Sequence, residues 1–199
     1  MAQATVVAHA IGRPSVRITE CSMISSRFIA IAPVALLGCA PEGFPEAVDV
    51  PWVAGRACAP SRAIDVGCVL DGDTFDVGRC GGERVRLLGV DAPEVAHERP
   101  AECFGESAAV GLSQRLADST LWISFDDRCE DDFGRTLGYV WYVDEEGVSG
   151  LVNEWLIHEG YARVYRGASA GPLVYQPRLD AAEASAAARG VGWWSACAE

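Results

Sequence analysis

Residues 69–75, VLDGDTF, and residues 84–94, RVRLLGVDAPE, decide the predicted fold. Both are short strand signals broken by turn-forming residues, Asp71-Gly72 in the first and Pro93 in the second. Within these stretches and on both sides of them, the spacing of apolar residues predicts strands at 64–70, 73–77, 84–90, 121–125 and 135–143. It also predicts helices at 106–117, 151–159 and 178–189. Five strands with three interleaved helices predict an α+β domain that is compatible with a small closed barrel.

Three charged residues interrupt apolar rows of these strands. Asp73, Arg86 and Arg135 are each followed, two and four residues along the same face, by apolar or aromatic residues: Phe75 and Val77, Leu88 and Val90, Leu137 and Tyr139. An unpaired ion in such a row is costly, so each needs a partner. Asp91 and Glu94 follow directly after the strand that carries Arg86.

If these groups converge, three carboxylates meet two guanidiniums and their formal charge is −1. A hard divalent cation with oxygen ligands would reverse this charge and attract an anion such as phosphate, for which the guanidiniums are forked donors. Separate surface ion pairs are the alternative. An ordinary tight turn is the alternative for Asp71-Gly72-Asp73, while an EF-hand loop is excluded because Asp76 and Gly82 stand where it needs glycine and glutamate.

Composition limits the function further. The formal charge is −12, from 16 basic and 28 acidic residues, which excludes a protein that holds nucleic acid by net positive charge alone. All 16 basic residues are arginine, which excludes a lysine nucleophile and a phosphate-loop lysine.

Three motifs together resemble the staphylococcal nuclease-like family: residues 69–75, residues 85–94 and residues 133–139, FGRTLGY. The segments 151–156, 159–162 and 192–195 agree with it too, so the resemblance covers about 64–195. It implies a five-stranded OB-type β-barrel with three helices over residues 61–199.

The resemblance also implies the site residues. Asp73 and Asp91 would bind Ca²⁺ with their carboxylates and Ala92 with its backbone carbonyl, while Asp71 would order a metal-bound water. Glu94 would activate the attacking water. Arg86 and Arg135 would hold the scissile phosphate. The implied activity is hydrolysis of DNA and RNA, preferably single-stranded or denatured, with little sequence specificity and 3′-phosphate products, by a monomer.

The chain departs from the family at two neighbouring positions. Phe133 replaces a frequent tyrosine and Asp132 a frequent lysine, which leaves recognition of nucleotide ends open. Tyr165 and Arg166 are candidate base-stacking or phosphate contacts, with core packing as the alternative for Tyr165. His97 is interpreted as a solvated loop residue, and the acidic residues of 126–132 as a solvated turn rather than a second metal site.

The N-terminal part predicts export. Residues 28–37, FIAIAPVALL, are too short to cross a bilayer, but with Arg27 before them and Cys39 after them they resemble a bacterial lipoprotein signal, a buried core segment being the alternative. On this interpretation translation begins at Met23 and Cys39 is lipidated. Residues 1–39 are then extension and signal, residues 40–60 a tether, and Ala40 favours anchoring in the outer membrane.

The other cysteines agree with export. Apart from Cys21 and Cys39 there are six, at 58, 68, 80, 103, 129 and 197, without the short spacing of a zinc or redox motif. We expect disulfides, with Cys103–Cys129 as the preferred pair, and buried free thiols as the alternative. The rival functions for the whole domain are a non-catalytic OB module that binds nucleic acid or an envelope partner, and a calcium-binding structural domain.

Overall fold

The computed structural model describes residues 57–96, 100–117, 119–167 and 172–197. In these ranges the chain forms nine strands and four helices. They are β1 (Arg62–Ile64), β2 (Val66–Val69), β3 (Thr74–Val77), β4 (Glu83–Leu87), β5 (Val90–Asp91), α1 (Gly105–Ala117), β6 (Ser119–Ser124), β7 (Thr136–Asp144), β8 (Ser149–Leu151), α2 (Val152–His158), β9 (Arg163–Val164), α3 (Gln176–Arg189) and α4 (Trp193–Ala196).

The main sheet has the order β1-β6-β7-β4-β3-β2, with β8 paired to β7. Its two ends, β1 and β2, are separated in the chain only by Asp65, so the sheet curls until these ends meet. The first predicted strand splits at this residue because its two halves pair with β6 and β3, at opposite ends of the sheet. The α+β architecture is confirmed, and the five predicted strands correspond to β1 with β2, β3, β4, β6 and β7.

The third predicted strand is too long. β4 ends at Leu87, and the chain turns through Gly89, with φ of +72°, before β5 begins at Val90. The prediction that Arg86 shares a strand face with Leu88 and Val90 is therefore wrong, because a left-handed residue interrupts the alternation. β5 pairs instead with β9 in a separate two-stranded sheet.

One hydrophobic core joins the curled sheet to three helices. It contains Phe75, Val85, Ile123 and Val140 from the strands and Leu112, Leu156, Ile157 and Leu179 from α1, α2 and α3, all at most 1% exposed. Burying such side chains contributes roughly 1.5–3 kcal/mol each. This core holds the ends of β3 and β4, where the predicted site lies.

Asn153, fully buried at the start of α2, ties three backbone segments together. Its Oδ1 accepts from Val140 N at 3.0 Å, and its Nδ2 donates to Leu88 O at 2.9 Å and Gly138 O at 3.3 Å. The turn that follows β4 is thus fixed to β7 and α2 by a side chain whose hydrogen bonds are satisfied.

The six cysteines of the described region form three disulfides, Cys58–Cys129, Cys68–Cys80 and Cys103–Cys197. The prediction of disulfides is confirmed and the preferred pair, Cys103–Cys129, is wrong. Cys129 lies in the loop after β6, against which the chain near Cys58 packs, with Cys58 N donating to Asp126 O at 2.8 Å. Cys103 precedes α1 and meets the residue that follows α4.

The predicted signal segment, Cys21, Cys39 and His97 lie outside the described residues, and the predicted tether is described only from residue 57. No helix within the described ranges combines the length and the apolar character needed to span a bilayer.

Candidate active site

The turn between β2 and β3 places Asp73 at the edge of the core. Asp71 Oδ1 accepts from Asp73 N at 3.0 Å, and Leu70 N donates to Thr74 O at 3.0 Å, so the turn closes on itself. A Cβ on Gly72 would lie 2.6 Å from the side chain of Ala108, which only glycine avoids. The sequence pattern DGDT therefore encodes a tight turn that directs one carboxylate inward.

Arg86 lies opposite this turn on β4, in register with Thr74. Its guanidinium forms an ion pair with Asp73, its Nη2 donates to Val90 O at 3.0 Å, and the same nitrogen lies 4.0 Å from Asp91 Oδ1. The side chains of Arg86 and Asp73 are 16% and 2% exposed. Arg86 thus links two of the predicted carboxylates.

Burial shapes the titration of this group of charges. It lowers the pKa of Arg86, which the carboxylates of Asp71, Asp91 and Glu94 partly offset and Arg135 reinforces. Arginine nevertheless remains charged at any working pH. Burial also raises the pKa of Asp71, against the opposing effect of Arg86.

Ala92 and Glu94 continue from β5. The buried Ala92 donates its backbone N–H to Asp73 Oδ2 at 2.9 Å, so both oxygens of Asp73 have partners. Glu94, two residues further, is exposed, and its backbone is held by hydrogen bonds with Glu102. The turn that begins at Gly89 therefore carries Asp91, Ala92 and Glu94 past the buried ion pair.

Sequence reasoning missed Arg163. It pairs with Asp91 across β5 and β9, its Nη2 lies 3.7 Å from Asp91 Oδ2, and its guanidinium carbon stacks 4.6 Å from the centre of the Trp193 ring. Its Nε is buried without a hydrogen-bond partner within the described structure. The available signal was an arginine between Ala162 and Val164, which are both buried.

Arg135 lies just before β7, in a loop organised by Asp131. The backbone amides of Phe133 and Arg135 both donate to Asp131 Oδ1 at 2.9 Å, and Arg135 Nε donates to Asp131 Oδ2 at 2.7 Å. Burial alone would raise the pKa of Asp131, but these three hydrogen bonds hold it below its usual value. Arg135 is 30% exposed, and the neighbouring Phe133 is 85% exposed.

Arg86 and Arg135 open on one pocket of about 280 Å³. Its other walls include Asp127, Tyr165 and Leu173, and the role of Tyr165 as a base-stacking or phosphate contact stays a prediction. Arg166 does not line this pocket. It pairs with Glu183 at 2.5 Å and Asp180 at 3.3 Å on α3, so the pocket gives no support to its prediction as a phosphate contact.

Three of the acidic residues of 126–132 have structural partners. Asp126 is buried and accepts from the Tyr139 hydroxyl at 2.8 Å and Val174 N at 3.0 Å, Asp131 holds Arg135, and Asp132 pairs with Arg128 at 2.7 Å. Burial and Asp126 together raise the pKa of Tyr139. The interpretation of this segment as a solvated turn is therefore wrong for Asp126, which is buried.

No three acidic, histidine or cysteine side chains of the described residues lie close enough together to hold one metal ion. Asp73 and Asp91 instead face the Arg86 guanidinium from two sides. Carboxylate oxygens are the ligands that a hard cation prefers, so Asp73 and Asp91 fit such an ion in chemistry. Asp73, Arg86 and Asp91 are thus brought together, Arg135 joins them across the pocket, and Glu94 lies at the end of the turn.

Known proteins are similar to this chain in amino-acid sequence. The thermonuclease of Staphylococcus hyicus is 33% identical over 146 residues, covering 71% of this chain and 81% of that protein. Protein ParB of Escherichia coli is 36% identical over 157 residues, covering 75% and 81%. The thermonuclease of Staphylococcus intermedius is 39% identical over 97 residues, covering 48% of this chain and only 55% of that relative.

The sequence profile of the family described as staphylococcal nuclease homologue matches residues 84–196. This range contains Arg86, Asp91, Glu94 and Arg135, whereas Asp73 precedes it. The family has an OB fold, which agrees with the curled sheet and confirms the predicted OB-type class. The chain therefore belongs to the family of staphylococcal nuclease homologues.

Proposed function

We propose that this chain is a calcium-dependent endonuclease that hydrolyses DNA and RNA with little sequence specificity and leaves 3′-phosphate ends. The observation that supports it most strongly is that Arg86 lines one pocket with Arg135 and also pairs with Asp73 and lies 4.0 Å from Asp91. The similarity to the two thermonucleases supports the same reaction class.

The two guanidiniums act on the scissile phosphate. Attack by water on phosphorus builds negative charge on the non-bridging oxygens, and Arg86 and Arg135 stabilise that charge more strongly in the transition state than in the ground state. Glu94, exposed at the end of its turn, accepts the proton of the attacking water. The bond from phosphorus to the 5′ oxygen then breaks, the leaving oxygen takes up a proton from solvent water, and the phosphate stays on the 3′ side.

Asp73, Asp91 and the carbonyl of Ala92 are the groups that would hold Ca²⁺, with Asp71 behind them. The bound ion would supply positive charge beside the phosphate. The Arg86 guanidinium pairs with Asp73, so a phosphate that binds this guanidinium competes with that carboxylate for it.

Capture of substrate relies on this site rather than on a basic groove. The net charge of −12 repels a polyanion, so we expect weak binding that declines steeply with salt. Phe133, 85% exposed beside Arg135, offers a stacking face and favours unpaired bases.

We also propose that the protein is exported, lipidated at Cys39, anchored in the outer membrane and monomeric. Three disulfides support an oxidising compartment.

The test is cleavage by the purified domain. Heat-denatured DNA, plasmid and RNA are incubated with Ca²⁺ or with a chelator, next to the Glu94→Gln variant. We expect Ca²⁺-dependent cleavage of all three, fastest on denatured DNA, and at least a ~10²-fold loss in the variant. Binding without cleavage would show the rival OB-type binding module, and Ca²⁺ binding with neither would show a structural calcium domain.

A further inference from the structure

The backbone of Glu94 is held by a short segment that leads into α1, residues Glu102 to Gly105. Glu102 N donates to Glu94 O at 2.9 Å, and Glu94 N donates to Glu102 Oε2 at 3.3 Å. These two hydrogen bonds involve both the backbone N–H and the backbone C=O of Glu94. The position of the Glu94 backbone is thus stabilised by a segment outside its own turn.

The same segment approaches Glu94 too closely for any side chain. A Cβ on Gly105 would lie 2.2 Å from Glu94 O and 3.1 Å from Pro93 O. The preceding residue, Phe104, has φ of +73°, the one left-handed residue other than glycine in the described ranges. A left-handed conformation of phenylalanine is unfavourable by itself, so the surroundings must hold it.

The Cys103–Cys197 disulfide supplies that constraint. It bonds the middle of the segment to the residue that follows α4, with a Cα–Cα distance of 5.9 Å. α4 is itself fixed, because Trp193 N donates to Gly160 O at 2.8 Å and a Cβ on Gly192 would lie 2.4 Å from the same oxygen. The C-terminal helix is therefore a firm anchor for the segment.

A second connection joins the same helix to the candidate site. Trp193, the first residue of α4, supports the guanidinium of Arg163, which approaches Asp91. The two ends of α4 thus lie behind Asp91 and Glu94, the two acidic residues that flank Ala92 and Pro93. Neither connection touches the pocket where the phosphate would lie.

We propose that the Cys103–Cys197 disulfide positions the catalytic base: through residues 102–105 it holds the Glu94 backbone in place for the attack on phosphate. This inference rests on the proposed function. Residues that orient a catalytic group can change turnover greatly, because a displacement near 1 Å costs on the order of a hundredfold. The expected signature is a lower kcat with little change in KM, since the arginines that bind phosphate are untouched.

The test compares two disulfides in the full domain. The Cys103→Ser/Cys197→Ser variant is measured beside the Cys68→Ser/Cys80→Ser variant, whose bond joins β2 to the exposed turn between β3 and β4. We expect kcat to fall on the order of tenfold or more in the first variant, with KM within about twofold, and to stay within about twofold in the second. A first variant that keeps more than half of the wild-type kcat would overturn the proposal, as would an equal loss in both.

A second pair of variants leaves every disulfide intact, so that a failure to fold cannot decide the matter. Glu102→Ala removes the acceptor for Glu94 N, while Glu102→Gln keeps an amide oxygen at the same place. We expect kcat to fall about threefold or more in Glu102→Ala and to recover in Glu102→Gln. Unchanged turnover in Glu102→Ala counts against the proposal.

Hydrogen exchange separates this inference from the proposed function. In the folded wild type, the amide of Glu102 is protected because it donates to Glu94 O. We expect this protection to be lost in Cys103→Ser/Cys197→Ser and retained in Cys68→Ser/Cys80→Ser, whatever the substrate. If the wild type cleaves no nucleic acid, the proposed function fails, and the exchange result alone decides whether the disulfide holds the Glu94 backbone.

Discussion

The two arginines that face the pocket are held in different ways. Arg86 lies on β4, is 16% exposed, and is bound by Asp73 and by Val90 O, which come from two other parts of the fold. Arg135 is 30% exposed and is held by Asp131, four residues away in its own loop. One guanidinium is placed by the barrel and the other by a local turn.

This difference separates structural cost from catalytic role. The acidic partner of Arg86 is almost fully buried, so removal of the guanidinium leaves Asp73 with an uncompensated charge. Removal of Arg135 leaves Asp131 with two backbone amide donors and partial access to water. If both arginines stabilise the same transition state, their variants should agree in turnover and disagree in stability.

The largest expected effect is on turnover. Arg86→Ala and Arg135→Ala should each lower kcat on denatured DNA by ~10²-fold or more, roughly 3 kcal/mol. Arg86→Ala should also lower the free energy of unfolding by about 3 kcal/mol or more, whereas Arg135→Ala should lower it by about 1 kcal/mol or less. Urea unfolding and steady-state kinetics measure both quantities.

The control for this pair is Arg166→Ala, which removes an exposed arginine that pairs with α3 away from the pocket. Its turnover should equal that of the wild type. A stable Arg86→Ala protein, or an active Arg135→Ala protein, would contradict the division between the two arginines.

A smaller effect is expected from the partner of Arg135. Asp131→Asn keeps an oxygen for the backbone amides but loses the charge that orients the guanidinium, so kcat should fall about tenfold. Because the pKa of Asp131 is lowered in the folded protein, its stabilising contribution is present above the unfolded value of 3.8 and is lost as pH falls through the folded value. The stability difference between variant and wild type should therefore disappear in acid.

Asp132→Asn is the matched control, since the neighbouring carboxylate is 89% exposed and pairs only with Arg128 among the described residues. A loss of turnover in this control equal to that in Asp131→Asn would show a general effect of loop charge. The specific role of Asp131 would then be wrong.

The smallest effect concerns Asp71 behind the Arg86 pair. Burial raises its pKa, so the folded state holds the proton more tightly than the unfolded state and stability declines as pH rises through 3.8 toward the folded value. Asp71→Asn removes this loss while its oxygen can still accept from Asp73 N. The free energy of unfolding of the variant, relative to that of the wild type, should be higher at about pH 7 than at about pH 3. An unchanged difference between the two pH values would contradict the raised pKa.

Local patterns predicted the large elements well. The helices that begin at Gly105, Val152 and Gln176 follow stripes of apolar residues that the core buries, and the main strands follow their alternation. The short elements β5, β8, β9 and α4 are two to four residues long, too short to carry a periodic signal. β5 and β9 form because they pair with each other, although they are distant in sequence.

The candidate site shows the same difference between what local sequence predicts and what long-range contacts decide. Asp73, Arg86 and Asp91 were found from charges in apolar surroundings and from the family resemblance. Arg163 was missed, and Cys103 was assigned to the wrong partner, because both depend on what α4 brings next to the site. The Cys103–Cys197 disulfide joins residues with a sequence separation of 94, and a contact at that separation produces no local sequence pattern.

By itself, the sequence determined the acidic, lysine-free composition, the DGDT turn, the order of helices and strands, and the family. These follow from short-range preferences and from motifs read in one stretch of chain. Only the tertiary structure decided that Arg86 lies between two carboxylates, that Arg166 pairs with α3, and that a disulfide from Cys197 reaches the segment beside Glu94. The physical reason is that ion pairs, stacking and disulfides depend on distances in space, which the curled sheet sets when it brings its two ends together at Asp65.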